Sequence, residues 1–317
     1  MPNRETQVSD RVVVIGSVNI DHTVEVARFP HPGETLLASS LTSSVGGKGA
    51  NQAAAAARSG ASVLMVAAVG NDAEGAQALA TLASAGVDTS GVHRVADART
   101  GSAWITVAAS DNTILVAPGA NYQWSQGLPS LRQSDVVLCQ LEIPVPLVES
   151  AAVAARGRFV LNAAPSVRLD DDLLRRCGVL IVNEHELAES AGLPDVDAAD
   201  TQRVIAASRS LIARGTSAVV TTLGGRGAIL CTTTTTLMAA TPPTPEVVDS
   251  TGAGDAFCGV FAARLAAGDS LGTALRYAVT AGSLAVRHPT AQGGYESFAR
   301  LPDLVDQTPS IIEEPRP

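Results

Sequence analysis

Hydrophobic positions in this chain follow two patterns. In the first, short aliphatic runs stop at a glycine or a polar residue: RVVVIG (11–16), SVLMVAAVG (62–70), SDVVLCQLE (134–142), RFVLNAAP (158–165), GVLIVNE (178–184) and SAVVTTLGG (217–225). Runs of this length, rich in β-branched residues, predict strands buried on both faces. Between them lie stretches with helical spacing, near 73–85, 145–156, 184–191 and 199–214, then two more at about 253–267 and 270–286; the alanine-rich 51–58 is helical too. Strand, turn and helix alternating at this interval predict an α/β fold, a three-layer α/β/α core on a mostly parallel sheet.

The second pattern alternates. HTVEVARFP (22–30), ETLLASSL (34–41) and SAWITVAASDNTILV (102–116) interleave polar with apolar residues and are broken by turn formers. They predict antiparallel strands solvated on one face, a small antiparallel β lid from about 20–42 and 100–117 within a single unit spanning 11–305. The five threonines 232–236 predict a further strand from their β propensity. The polar start, 1–10, is expected to be disordered and the end, 306–317, loose.

Composition narrows the function. At 317 residues and 46% apolar, the chain can bury a large core, and its net charge of −9 argues against a nucleic-acid partner. MPNRETQVSD has no apolar leader core, and no apolar run reaches the ~18 residues of a membrane span. No membrane partner and a cytoplasmic location are therefore expected. Cys139, Cys177, Cys231 and Cys258 are too widely spaced for a metal or redox motif and are expected to be free thiols. The five histidines have no paired spacing.

Parallel sheets bind ligands beyond the carboxyl ends of their strands, and those ends are polar here: Glu142, Asn162, Asn183 with Glu184, and Gly224–Gly225. Asn19 and Asp21 follow the first strand two residues apart, on one face of an extended chain. Any one of these residues would serve equally as a cap or turn residue; their convergence on one edge predicts a polar cleft. SVGGKGANQAAAAARSG (44–60) holds the only lysine, Lys48, between Gly47 and Gly49, while the other basic residues are all arginine. A second glycine-rich stretch, VVDSTGAGDAFCGVFAARLA (247–266), leads into a helix near Asp255. Glycines there would uncover amide N–H groups for a phosphate. Asp255 itself could be a plain helix-start residue or a proton acceptor beside that phosphate. Lys48 is followed by glycine, which excludes a Walker A loop, and GSVNID lacks the later glycines of a dinucleotide fingerprint.

GSVNIDH (16–22), PGET (32–35), GGKGANQA (46–53), QLE (140–142), NEHE (183–186), TLGGRG (222–227) and DSTGAGDAF (249–257) together resemble the ribokinase-like carbohydrate kinases, the PfkB family, over roughly residues 11–300. GGKGANQ and STGAGD correspond to its two signature regions. The resemblance implies ATP-dependent phosphorylation of a sugar's terminal hydroxyl, D-ribose giving ribose 5-phosphate, by a lidded α/β enzyme that forms a homodimer. It implies that Asn19, Asp21, Gly47, Lys48, Asn51 and Glu142 hold the sugar. Asp255 would be the catalytic base, also touching substrate, with Gly252, Ala253 and Gly254 as an anion hole. Asn183, Thr222, Gly224 and Gly227 would lie along the nucleotide, and Asn183 with Glu186 would form the element associated with Mg2+ and phosphate. Asp249, Thr251, Ala285, His288, Thr290 and Gly294 match a monovalent cation (K+) site. The chain departs from the family pattern at Thr290, where glycine is expected and a Cβ restricts φ, and at NAAP (162–165). Competing readings are a kinase of deoxyribose or adenosine, disfavoured for nucleosides by scarce aromatics, and a non-catalytic sugar-binding regulator, disfavoured by the intact GAGD. A nicotinamide oxidoreductase is disfavoured by the missing fingerprint.

Overall fold

The computed structural model describes residues 11–306 apart from 109–110, 125, 195, 198 and 243–246, together with 312–313. The expectation for residues 1–10 lies outside the described residues.

Seven strands form a parallel sheet in the spatial order Ala218–Thr222, Val179–Asn183, Arg158–Asn162, Val136–Cys139, Arg11–Ile15, Ser62–Gly70, Asp88–Val95. The antiparallel strands Ala228–Thr232, Thr236–Ala239 and Ile312–Glu313 extend one edge. Alternate side chains divide the core in two. Val12, Val14, Met65 and Leu138 pack under the helices Lys48–Arg58, Ala253–Ala266 and Leu271–Ala285. Val13, Ile15, Val66 and Val137 pack under Val145–Ala154, Asp171–Arg176, Glu184–Ala191 and Thr201–Ala213. This is the three-layer α/β/α core expected from the sequence.

The alanine-rich composition serves helix-on-helix contact. Ala253–Ala266 is buried almost all round, and a Cβ at its Gly259 would lie 2.3 Å from the carbonyl oxygen of Gln52 and 2.8 Å from Ala55 Cβ. Only glycine lets the two helices approach this closely, and that approach brings Gln52 and Asn51 to Asp255.

Four strands form the second sheet, in the order Ser40–Gly46, Asn19–Val26, Gly101–Ala108, Asp111–Ala117. Its outer pairs are antiparallel, but the central pair is parallel, against the expectation of an antiparallel lid. Asn19 and Gly101 each follow a core strand, and those core strands are themselves parallel, so both lid strands leave the core in the same direction. Residues 27–39 form no strand: the one expected over 34–41 starts only at Ser40, and Leu37 is 94% exposed with no face to bury it.

Further expectations also give way. The threonine run is a hairpin turn: strands end at Thr232 and resume at Thr236, while Thr232 Oγ1 accepts the N–H groups of Thr234 (3.2 Å) and Thr235 (2.9 Å). A hydroxyl bonding its own backbone two and three residues on outweighs β propensity. In the tail expected to be loose, Ile312–Glu313 pairs with Leu237 and Met238, while 307–311 and 314–317 lie outside the described residues. The strand Asp88–Val95 and the helix Asp171–Arg176 had no sequence signal strong enough to be expected.

Candidate functional site

Asp255 sits in the first turn of Ala253–Ala266, 8% exposed. Its Oδ2 accepts from Asn51 Nδ2 at 3.0 Å and its Oδ1 from Gln52 Nε2 at 2.9 Å. Burial pushes its pKa up, while Lys48 and the two amide donors pull the other way. The helix opens on Gly252 at φ 76°, where a Cβ would meet the carbonyl oxygen of Ala291 at 2.4 Å. In this turn the Ala253 N–H donates to Ser250 O at 3.2 Å. Asn51 is doubly engaged by protein, since Gln292 Nε2 donates to its Oδ1 at 2.9 Å.

The glycine turn faces this carboxylate. Gly47 adopts φ 87° and a Cβ there would lie 2.8 Å from Asn19 N, so the turn packs directly on the lid strand's start. Lys48 opens its helix, and its N–H donates to Glu142 Oε2 at 2.9 Å. Burial alone would lower the pKa of the Lys48 ammonium, but the charges of Asp255, Glu142 and Glu186 outweigh it and hold the pKa above the usual value. Asp21 is pushed up to about 6 by burial and by the negative charges of Glu142 and Asp255, with Lys48 opposing. Asn19 is 3% exposed and its Oδ1 accepts from Asn121 Nδ2 at 2.7 Å.

Two cavities meet here. One of about 150 Å³ is lined by Lys48, Asn162, Asn183, Glu186, Gly252 and Asp255 among others; the second, about 530 Å³, is lined by Gly224, Gly227, Pro242, Val247, Phe257 and Val279 among others. They share Thr222 and Gly254 as a common wall. Asn183 therefore lies in the smaller, polar space, and Gly224 and Gly227 in the larger, mostly apolar one. Asn183 and Glu186 form a capping box at the start of Glu184–Ala191, with Asn183 N donating to Glu186 Oε2 at 2.8 Å and Glu186 N to Asn183 Oδ1 at 2.9 Å. Burial raises the pKa of Glu186.

The six residues matched to a monovalent cation site gather in one loop cluster. Asp249 accepts from the N–H groups of Thr251 (2.8 Å) and Thr290 (3.2 Å), His288 N donates to Ala285 O at 3.3 Å, and a Cβ on Gly294 would lie 3.0 Å from Ala285 Cα. Thr290 has φ 68°, the only positive value at a non-glycine among the described residues, so a β-branched side chain is held where glycine would be unstrained. No group of three His, Cys, Asp or Glu side chains set to hold a metal exists among the described residues. None of the four cysteines forms a disulfide and all four are buried, and no described helix is long and apolar enough to cross a membrane.

Several residues at this site carried no expected role, except that Asn162 was expected among the polar strand ends of the cleft and does line the smaller cavity. Ser17 donates its hydroxyl to Glu142 Oε2 at 2.5 Å, Asn121 braces Asn19, and Gln52, Gln140, Asn162 and Gln292 surround Asp255 and Asn51. Their one legible signal was position: Gln52 is an amide inside an alanine run, and Gln140 and Asn162 close core strands.

The sequence profile described as "pfkB family carbohydrate kinase" matches residues 9–297. The chain is 36% identical over 290 residues to a ribokinase of Haemophilus influenzae, covering 89% of this chain and 94% of that one. It is 35% identical over 303 residues to a ribokinase of Bacillus subtilis, covering 93% and 99%. The solved structure of Arabidopsis thaliana ribokinase complexed with ribose and ATP superposes with a TM-score of 0.83 at 30% identity, covering 92% of this chain and 98% of that one.

Proposed function

The chain belongs to the pfkB family of carbohydrate kinases, and from that membership we propose that it transfers the γ-phosphoryl group of ATP to the terminal hydroxyl of D-ribose, giving ribose 5-phosphate. The observation that carries this reading is Asp255: a buried carboxylate, oriented by two neutral amides, beside the wall where a polar cavity adjoins a larger apolar one.

In the proposed mechanism the smaller space takes the sugar end and the larger one the nucleotide. Lys48 lines that smaller space with Asp255; Asn19, Asp21, Gly47 and Glu142, which line neither cavity, orient the rest of the sugar from the lid side, and Asn51 offers the amide hydrogen its protein bonds leave free. Asp255 accepts the proton of the attacking hydroxyl as that oxygen forms its bond to phosphorus and the bond to the departing ADP oxygen breaks. The start of the helix at Gly252–Gly254, exposed at Gly254 and with the Ala253 N–H already donated to Ser250 O, would offset charge on the transferring group through its dipole and its remaining N–H groups. Thr222, Gly224 and Gly227 border the nucleotide. Glu186, which lines the smaller cavity together with Asp255, would suit Mg2+ held mostly by phosphate oxygens and water, whose charge would support phosphoryl transfer. A K+ ion fits the Asp249 and 285–294 segments, because Thr290 keeps the backbone conformation that glycine would adopt.

The lid supports a homodimer. Leu41, Trp104 and Leu115 share the sheet face opposite to that of Asp21 and are 65%, 51% and 74% exposed, an apolar surface suited to a second copy. Leu115→Glu should then shift the sedimentation of the protein toward the monomer. Four buried cysteines without a disulfide among them fit a reducing, cytoplasmic setting, which cell fractionation would test.

The decisive assay is ADP release across ribose, 2-deoxyribose, other pentoses, hexoses and adenosine, with and without K+. Highest kcat/KM with ribose is expected. Preference for adenosine would overturn the substrate, and sugar binding without ADP release would make the chain a regulator.

A further inference from the structure

Behind Asp255 lies a directed run of neutral amides. Gln140 Nε2 donates to Gln52 Oε1 at 2.7 Å; Gln52 Nε2 donates both to Asp255 Oδ1 at 2.9 Å and to Asn162 Oδ1 at 3.0 Å; Asn162 Nδ2 donates to Ile181 O at 3.3 Å. Gln52 and Gln140 are 0% exposed and Asn162 7%. An amide donates from one end and accepts at the other, whereas a carboxylate only accepts. A flipped Gln52 would turn its carbonyl on two acceptors and its NH2 on the NH2 of Gln140, breaking three bonds in a dry interior. Gln140 is confined sterically in turn: its Oε1, which has no hydrogen-bond partner among the described residues, would lie 2.0 Å from a Cβ at Gly16.

We propose that Gln140 and Asn162 are positioning residues that lock Gln52 in the one orientation whose N–H holds Asp255 Oδ1, keeping the carboxylate turned with its remaining lone pairs toward the cavity. This rests on Asp255 being the proton acceptor. The relay contains no charged member, so it orients the carboxylate without the strong pKa depression an arginine would impose. The ionisable groups facing Asp255 are Lys48, Asp21, Glu142, Glu186, Cys258 and Tyr295. None is altered by substituting the amides.

A double-mutant cycle of Gln52→Met and Gln140→Met tests the relay. Gln52→Met should lower kcat roughly ten-fold or more, leave sugar KM within about three-fold, and move the acidic limb of the kcat profile up by about half to one pH unit, because the ionised carboxylate loses a donor. Gln140→Met should act in the same directions but less, and the double variant should be no worse than Gln52→Met, since Gln140 works through Gln52. Additive losses with a fixed acidic limb would overturn the proposal and leave these amides a packing role. If Gln52→Met fails to fold, Gln140→Met decides alone: its limb must move. Asp255→Asn separates the two readings. Turnover by that variant removes the base assignment itself, whereas an inactive variant with an additive cycle removes only the relay.

Discussion

The backbone N–H of Lys48 donates to Glu142 Oε2 at 2.9 Å across 94 residues of sequence, and the Ser17 hydroxyl donates to the same oxygen. One carboxylate thus ties the glycine turn to the first core strand's exit. Glu142→Ala should destabilise the fold by about 2 kcal/mol by leaving two donors unpaired, while Glu142→Gln, which keeps an acceptor, should cost under ~1 kcal/mol. Both should raise the sugar KM. Urea unfolding with m held constant checks the difference.

Lys48→Arg keeps the charge but replaces a compact head with a planar fork in a cavity of about 150 Å³. Sugar KM should rise roughly ten-fold, about 1.4 kcal/mol of binding, with ATP KM nearly unchanged. Equal effects on both substrates would show that the lysine does not serve the sugar.

Asp21 titrates near 6 in the fold against an ordinary 3.8, so between those values the native chain holds a proton the unfolded chain has released. This group alone should lower stability as pH rises from about 4 to 6, by up to roughly 2–3 kcal/mol, and Asp21→Asn should lessen the slope, to which the raised Asp255 and Glu186 carboxyls also contribute. Sugar hydroxyls that donate to the ionised carboxylate should bind more tightly as pH rises through the same window. Chemical denaturation and calorimetry across pH 4–8 test both.

Gly259→Ala places a methyl against the Gln52 carbonyl, where the gap for a Cβ is 2.3 Å. Separating the two helices should cost about 1–3 kcal/mol and should also lower kcat, because Gln52 carries Asp255. Full activity at reduced stability would uncouple the packing from the site.

Much of this was legible in the sequence. Ser62–Gly70 and Glu184–Ala191 matched their expected bounds, because a glycine ends the one and an asparagine–glutamate capping box begins the other. The strand Asp88–Val95 was not, since DTSGVHRV lies at an edge of the parallel sheet and carries little apolar periodicity. Asp255 and Lys48 stood out because glycines flank them. Gln52 and Gln140 did not: they are uncharged, and partners 88 to 203 residues apart leave no spacing to read, while Asn162 was legible as a polar strand end but not as a partner of Gln52. The strain at Thr290 was visible as a mismatch, but the Asp249 hydrogen bond to its N–H was not.

Gly252 and Gly254 are glycines for different reasons. The first is demanded by its left-handed backbone; the second is helical, and among the described residues a methyl there would meet no atom beyond its own helix turn within 4 Å. Folding has no quarrel with alanine at 254, and helix propensity would even favour it. A variant carrying it should come out sturdier and slower, because the added methyl would project where the two cavities adjoin, the place the proposed mechanism gives to the transferring phosphoryl group.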